Sequence, residues 1–509
     1  MRLGVDVGGA STDVVLLSRF NRVIGAGKEE TSEDILSGMK ASVRKLLLKT
    51  KVEPEEIQGV FVGTTHCKNA LEYSKGLAKT AIIRIGEYES KIKPLLHWPE
   101  ALSAYIPMKL FVSTLSEKDF KTSISFVVRS LRKENIEAVA IAGVFSPMDP
   151  GSEIRLKAIL EKELPGLSVT MSHQLGSIGF IERENAAIIN AMLSKVLKDA
   201  MSGLSKLLQS MNINCEYWIT TNDGSLMTID EAIRFPIFTI GSGVANSLRG
   251  GAKLAGYSDC IVVDIGSGHT EIGRITGGHP EVTTEHSVFR NIKVNISLPK
   301  SLNLRFGGGT VIEPPGKRLL TEKTVESLEK EAIAWGGSTW TLTDSFLRIT
   351  PELSFRNNQN PTLDLVRQLP KKECTEAVEA YAKGVNERIE QLQFGKEMLP
   401  IVVVGGGSPF IINRLLTKSR IVENPFHYAI SNAIGACYAP VKMQEDRVYH
   451  LNERTKEEII EETKGRVITE VIKKGARKDT VHVTAVEEFP FAYLKGEVIR
   501  IRVKAVGYF

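Results

Sequence analysis

GVDVGGASTDVVLL (residues 4–17) and VVDIGSGHTEIGRI (residues 262–275) are altered copies of one pattern. Each carries an apolar run into an Asp, Asp6 or Asp264, and then a glycine turn, a hydroxyl residue, an acid and a second apolar run. Short apolar runs broken by glycine predict strand, tight turn, strand. A repeat of this kind within one chain predicts two related lobes facing each other across a cleft.

The chemistry of the turn follows from its residues. Glycine lets a backbone come close to a ligand, so that exposed N–H groups can hold phosphate oxygens. Gly8, Gly9, Ser11 and Thr12 in the first copy are candidates for this, as are Gly266, Ser267, Gly268 and Thr270 in the second. An Asp at the strand end can hold Mg²⁺, usually through water, because that ion keeps most of its hydration shell. Asp6 and Asp264 are therefore the metal candidates, one of them orienting the attacking group. Either copy alone reads as a hairpin with an acid beside it; two facing one cleft supply opposed phosphate clamps.

A third element follows. Ile401–Val404 reads as a buried strand opening into Gly405, Gly406 and Gly407, a turn suited to close approach by a flat nucleoside or to starting a helix. The helix with Ser431, Ala433, Gly435 and Ala436 comes next, and its small residues would let it cross a matching helix closely. This order resembles the phosphate-1, phosphate-2 and adenosine motifs of the actin and sugar-kinase superfamily. No GxxxxGK[ST] is present and no GxGxxG follows a strand, which excludes a P-loop and leaves a dinucleotide site unsupported. FGGGT (306–310) is an isolated glycine turn that either lines the cleft or does not.

Length and composition agree. A chain of 509 residues exceeds one hydrophobic core. Sixty-five basic against 60 acidic residues, a net charge of +5, give no electrostatic case for a nucleic-acid partner. Five scattered cysteines without a CxxC pair argue against disulfides or structural zinc and predict a reducing, cytoplasmic setting. No window of about 18 apolar residues predicts a membrane span, and the opening MRLGVDVGG lacks signal-peptide anatomy. Strand and helix patterns alternate, so the fold class is α/β. Expected divisions are an N-terminal lobe over 1–180, a second lobe over 181–440 and a small β-rich appendage over 441–509. In the appendage PFAYLKGEVIRIRVKAV (490–506) alternates apolar and polar residues, and an unpaired edge there could accept a partner strand, against the simpler expectation that it packs on its own body.

Longer segments carry a family resemblance. VGTTHCKNAL (62–71), FSPMDP (145–150), SHQLGSIGFIERENAAIINA (172–191), TNDGSLM (221–227) and WGGSTWTLTD (335–344), with the second turn, are similar to signatures of the hydantoinase/oxoprolinase A-type subunit. The resemblance runs from residue 1 to about 440. It implies an actin-like ATPase fold of the ribonuclease-H type, with two duplicated lobes around a nucleotide cleft. It implies ATP and Mg²⁺ as cofactors, ring opening of a cyclic amide such as a hydantoin or 5-oxoproline, and a B-type partner subunit. Homo-oligomers stay open. Alternatives are an actin-fold small-molecule kinase, a nucleotide-binding subunit resembling that of acetone-type carboxylases, and a nucleotide-responsive regulator. His66, in TTHCKN, is a substrate-side acid, base or ligand candidate, against a structurally satisfied histidine. His173, His269 and the Asn222–Asp223 turn have structural and functional readings alike. Ala10 and the Ser267–Gly268–His269 run depart from the family pattern and leave substrate choice open.

Overall fold

The computed structural model describes all residues except 9–10, 31–34, 90, 177–178, 284–285, 314–319, 352–360, 395–397, 416–420, 452–453 and 491–497. The chain forms two compact units, each discontinuous in sequence. The first comprises Met1–Gly63, Ser242–Val282 and Pro299–Tyr438; the second comprises Thr64–Gly241, Thr283–Leu298 and Ala439–Phe509.

The repeat is built into the first unit. Strand β1 (Arg2–Val7) pairs antiparallel with β2 (Ser11–Leu17), and β2 with β3 (Val23–Glu30). Val14 to Leu17 are all fully buried, as a continuous apolar run covered on both faces requires. Helix α1 (Ile35–Thr50) lays Met39, Val43, Leu46 and Leu47 in the core, at helical spacing. It leads to β4 (Gly59–Thr64), which lies beside β1, so this half has the order β3–β2–β1–β4.

Helix α2 (Ser242–Ala255) then enters the second half. There β5 (Cys260–Ile265) pairs antiparallel with β6 (Thr270–Thr276), β6 pairs antiparallel with β7 (Ser301–Leu304), and helices α3 (Leu342–Ile349) and α4 (Lys371–Leu392) follow. Strand β8 (Ile401–Val404) returns parallel to β5, giving β7–β6–β5–β8, the strand order of the first half. The registers also coincide. Asp6 faces Asp13 and Val7 faces Thr12 in one hairpin; Asp264 faces Glu271 and Ile265 faces Thr270 in the other.

Helix α5 (Ser431–Cys437) packs on β1 and crosses α2. Glycine makes the crossing this close: a Cβ on Gly250 would stand 1.8 Å from the Ser431 carbonyl oxygen, and one on Gly435 1.9 Å from that of Asn246. The small-residue reading of the last helix thus becomes a backbone-to-backbone contact.

The second unit holds a four-stranded parallel sheet ordered Met108–Ser113, Thr80–Gly86, Ala138–Gly143, Ser168–Met171, with the 31-residue helix Phe180–Ser210. The residues from 441 onward belong to this unit. Val441–His450 pairs with Val498–Gly507, which pairs with His482–Pro490, and Leu226 joins the sheet at Val441. The simpler expectation for the tail holds: the 498–506 run packs within its own body, because both flanks of that strand are paired, and the alternative of a free edge on that run is set aside. The outer strand is His482–Pro490, and residues 491–497 of the quoted run lie outside the described residues. Among the described residues no helix is long and apolar enough to cross a membrane.

Candidate functional site

The two glycine turns close in the same way. The Gly8 amide donates to the Ser11 carbonyl at 2.9 Å, and the Gly266 amide to the His269 carbonyl at 3.0 Å. Gly9 and Ala10 lie outside the described residues. In the second turn the amides of Ser267 and Gly268 meet no hydrogen-bond acceptor among the described residues, which leaves two donors for an anion. His269 is exposed on this turn.

FGGGT does not line a surface; it is buried behind the second turn. Gly308 and Gly309 donate to the carbonyls of Gly266 and Ser267 at 3.0 and 2.8 Å, and the Thr270 hydroxyl donates to Phe306 O at 2.8 Å. Thr270 also shares a 2.6 Å hydrogen bond with the Tyr381 hydroxyl from α4. The turn's carbonyls are thereby occupied from behind, while its free amides remain.

The third motif adjoins the second turn directly. Gly407 N donates to Ile265 O at 3.1 Å, and Gly405, with φ +85°, donates to Tyr428 O at 3.0 Å. A Cβ on Gly406 would meet nothing within 4 Å, so this residue borders open space.

Asp6 is 3% exposed. Its Oδ2 accepts from Asn432 Nδ2 at 3.1 Å, while its Oδ1 is buried and meets no partner among the described residues. Burial, reinforced by the Asp13 charge, pushes the Asp6 carboxyl up to about 7; Asp264 adds to the rise. Burial also raises Asp264, opposed by the Ser247 hydroxyl and by Lys28. Both strand-end acids are thus carboxyls whose charged form burial disfavours, each with a further acid, Asp13, adding to the rise.

Lys28 and Asp13 complete the cluster; the sequence reading held Asp13 only as the acid of the repeat, with no role assigned, and missed Lys28. Lys28 Nζ lies 2.9 Å from Asp13 Oδ1 and donates to Ala429 O at 3.2 Å. Register places them: Asp6 faces Asp13 across β1–β2, and Asp13 faces Lys28 across β2–β3. Three strands therefore align acid, acid and base in one row, a pattern that no spacing within the chain announces. Lys28→Met removes the cation that now lowers Asp6. The Asp6 midpoint, followed by carboxyl NMR, is expected above about 7 in that variant; an unmoved midpoint would show that Lys28 does not act on Asp6.

The remaining candidates lie in the second unit. His66 opens the helix His66–Tyr73, with Nδ1 2.5 Å from the Thr64 hydroxyl, and burial lowers its pKa, so the imidazole is neutral near pH 7. His173 Nδ1 lies 2.6 Å from Glu153, a buried carboxylate that also accepts from Gly143 N and the Ser172 hydroxyl. Asn222 is spent on backbone, donating to Ile237 O at 3.1 Å and accepting from Gly241 N at 2.7 Å. Asp223 pairs with Lys442, and that charge and the Ser225 and Thr221 hydroxyls outweigh burial and hold its carboxyl well below the usual range. Asn222 and Asp223 are turn residues. All five cysteines are free.

Comparison with known proteins decides the family. Residues 2–164 match the hydantoinase/oxoprolinase N-terminal region, and residues 183–445 match the hydantoinase/oxoprolinase domain. The chain belongs to the hydantoinase/oxoprolinase family. Among curated members and relatives, it is 23% identical over 337 residues to the caprolactamase subunit alpha of Pseudomonas jessenii, covering 61% of this chain and 48% of that one. It is 24% identical over 219 residues to the acetophenone carboxylase gamma subunit of Aromatoleum aromaticum, covering 41% and 29%. The chain thus spans about half or less of the length of these two relatives. The crystal structure of the ATP-dependent caprolactamase from P. jessenii superposes with a TM-score of 0.78 at 16% identity, covering all of this chain and 87% of that one. The nucleotide-free acetone carboxylase structure superposes with a TM-score of 0.76 at 14% identity, covering 100% and 88%. These likenesses, with the repeated halves of the first unit, make the fold of this hydantoinase/oxoprolinase family chain the actin-like α/β class.

Proposed function

We propose that the chain binds MgATP and uses it to activate the carbonyl oxygen of a cyclic amide for ring opening, as one subunit of a larger enzyme. The observation that carries this reading is geometric: the buried, orphaned Oδ1 of Asp6 at the end of one strand of the repeat, and in the second copy the two amides of Ser267 and Gly268, unbonded among the described residues, on the turn that follows Asp264. A lactam or imide resists water because resonance spreads the nitrogen lone pair over the carbonyl. In the proposed step the amide oxygen forms a bond to the γ-phosphorus as the bond to the β,γ-bridging oxygen breaks. ADP leaves, and the ring carbon carries a better leaving group.

The protein's own part is alignment and charge. Ser267 and Gly268 amides would donate to phosphate oxygens, with Gly8, Gly9, Ser11, Thr12, Gly266 and Thr270 shaping the two clamps, and Gly405 to Gly407 would face the nucleoside. Oxygen donors suit Mg²⁺, and the orphaned, buried Oδ1 of Asp6 fits a role toward a metal-bound water. Asp6 and Asp264 would hold that ion, which when bound supplies charge neutralisation at the phosphates. His66, neutral and at a helix start, is the proposed substrate-side acid or base. A B-type partner would complete the hydrolytic step; the naming of the P. jessenii relative as a subunit supports this.

Similarity to the acetophenone carboxylase gamma subunit supports a second reading, in which a ketone replaces the amide and the chain serves a carboxylase. Both readings require nucleotide. MgATP or MgADP at about 100 times Kd is expected to stabilise the chain by about 2.7 kcal/mol through linkage, seen as a raised Tm. No shift, with no heat of binding, would remove both. ADP release driven by lactams rather than by ketone with bicarbonate then separates them.

A further inference from the structure

The repeat extends to a pair of residues outside the turns. Beside β1, strand β4 ends in Gly63 and Thr64; beside β5, strand β8 runs into Gly405. A Cβ built on Gly63 would stand 2.2 Å from Asp6 Oδ1 and 2.6 Å from Asn246 Nδ2. A Cβ built on Gly405 would stand 2.3 Å from Asp264 Oδ1. The same atom of each strand-end acid therefore occupies the volume that any side chain on the neighbouring strand would take.

We propose that Gly63 and Gly405 are equivalent positioning residues, which keep clear the space into which Asp6 and Asp264 project toward a divalent cation. This rests on the reading of those acids as metal-side groups. Packed interiors do not stretch to admit an extra carbon, so a larger residue at either place must turn the carboxylate away. The missing side chain is then a requirement of the site, distinct from the freedom to turn that glycine gives the loops.

Gly63 is the cleaner probe. Gly405 has φ +85°, and a Cβ there would also meet the Ile265 backbone at 2.5 and 2.7 Å, so alanine would strain the chain itself. At Gly63 the atoms met first are the ends of two side chains, which can rotate, so Gly63→Ala folds with the Asp6 carboxylate displaced.

Two measurements on the full chain test this. The first needs no nucleotide. At pH 5, where Asp6 is not ionised, Gly63→Ala is expected to lower Tm by about 2 °C or more. Adding Asp6→Ala to that variant is expected to recover the part of the loss that comes from the carboxyl group, leaving the part that comes from Asn246 Nδ2. Additive losses would overturn the proposal, because they would show that the methyl group added at position 63 does not touch Asp6. The second compares MgADP with adenosine by calorimetry. Kd for MgADP is expected to rise roughly tenfold or more in Gly63→Ala, with adenosine affinity unchanged, and Asp6→Asn is expected to add little further. A merely structural fault would weaken both ligands alike, and that result, or unaltered MgADP binding, would overturn the assignment. Failure of the wild type to bind MgADP would instead sink the nucleotide reading, leaving the melting cycle to judge the contact.

Discussion

Asp6→Asn and Asp264→Asn are each expected to cut Mg²⁺-dependent ATP turnover by about 10²–10³-fold, while Asp6→Asn melts above the wild type without nucleotide at pH 8. The two effects have one cause. Burial raises the Asp6 carboxyl from an ordinary 3.8 to about 7. The unfolded chain has therefore released this proton by about pH 5, whereas the folded chain keeps it to about pH 7. In that window the native state binds more protons than the unfolded state, so stability falls as pH rises. Above about pH 7 the ionised, buried group costs the fold a few kcal/mol, at 1.36 kcal/mol per tenfold. Asn removes that cost, and its side-chain oxygen can still accept from Asn432. It also removes the charge offered to a cation, so the variant should gain little Tm from MgADP. Calorimetry at pH 5 and pH 8, with and without MgADP, checks both signs. A variant that matches wild-type turnover and keeps the full nucleotide shift would move the metal site elsewhere.

Gly250→Val and Gly435→Val are expected to destabilise the first unit by more than about 4 kcal/mol, in the range reserved for severe packing faults. The atoms in the way are backbone carbonyls, at 1.8 and 1.9 Å from the added carbon, and no rotamer change relieves them. The helices would have to separate. That would lift α5 from β1, where a Cβ on Gly4 would already meet Ala433 O at 2.3 Å. Asn432, which donates to Asp6, rides on α5, so residual folded protein should also lose MgADP affinity. Scanning calorimetry and ligand titration measure this. A Tm within about 2 °C of the wild type would show that the helices do not cross at these glycines.

Much of the geometry of the candidate site was legible because its determinants are local. Asp6 with Gly8, and Asp264 with Gly266, are set by a strand ending in a glycine turn, which about ten contiguous residues specify. The Gly405–Gly407 turn is local in the same sense, and its approach to Ile265 follows from β8 lying beside β5. FGGGT was visible as a motif but not as a brace, since its partners, the Gly266 and Ser267 carbonyls, lie about 40 residues earlier. The tail was expected to pack on its own body and does, but its place in the sheet was not legible. Alternation in residues 498–506 is equally consistent with an edge strand and a central one, and only the pairing with His482–Pro490 makes it central.

By itself the sequence determined the duplication, the two acid-ended turns, the α/β class and the family, because each is written in short-range order or in segments long enough to compare. Tertiary structure alone decided which groups share the site. Lys28 reaches Asp13 through strand register, Asn432 reaches Asp6 from 426 residues away, and Gly63 clears Asp6 from a neighbouring strand. Register and helix crossing are set by the packing of whole faces, so no local pattern around any of these residues marks it in advance.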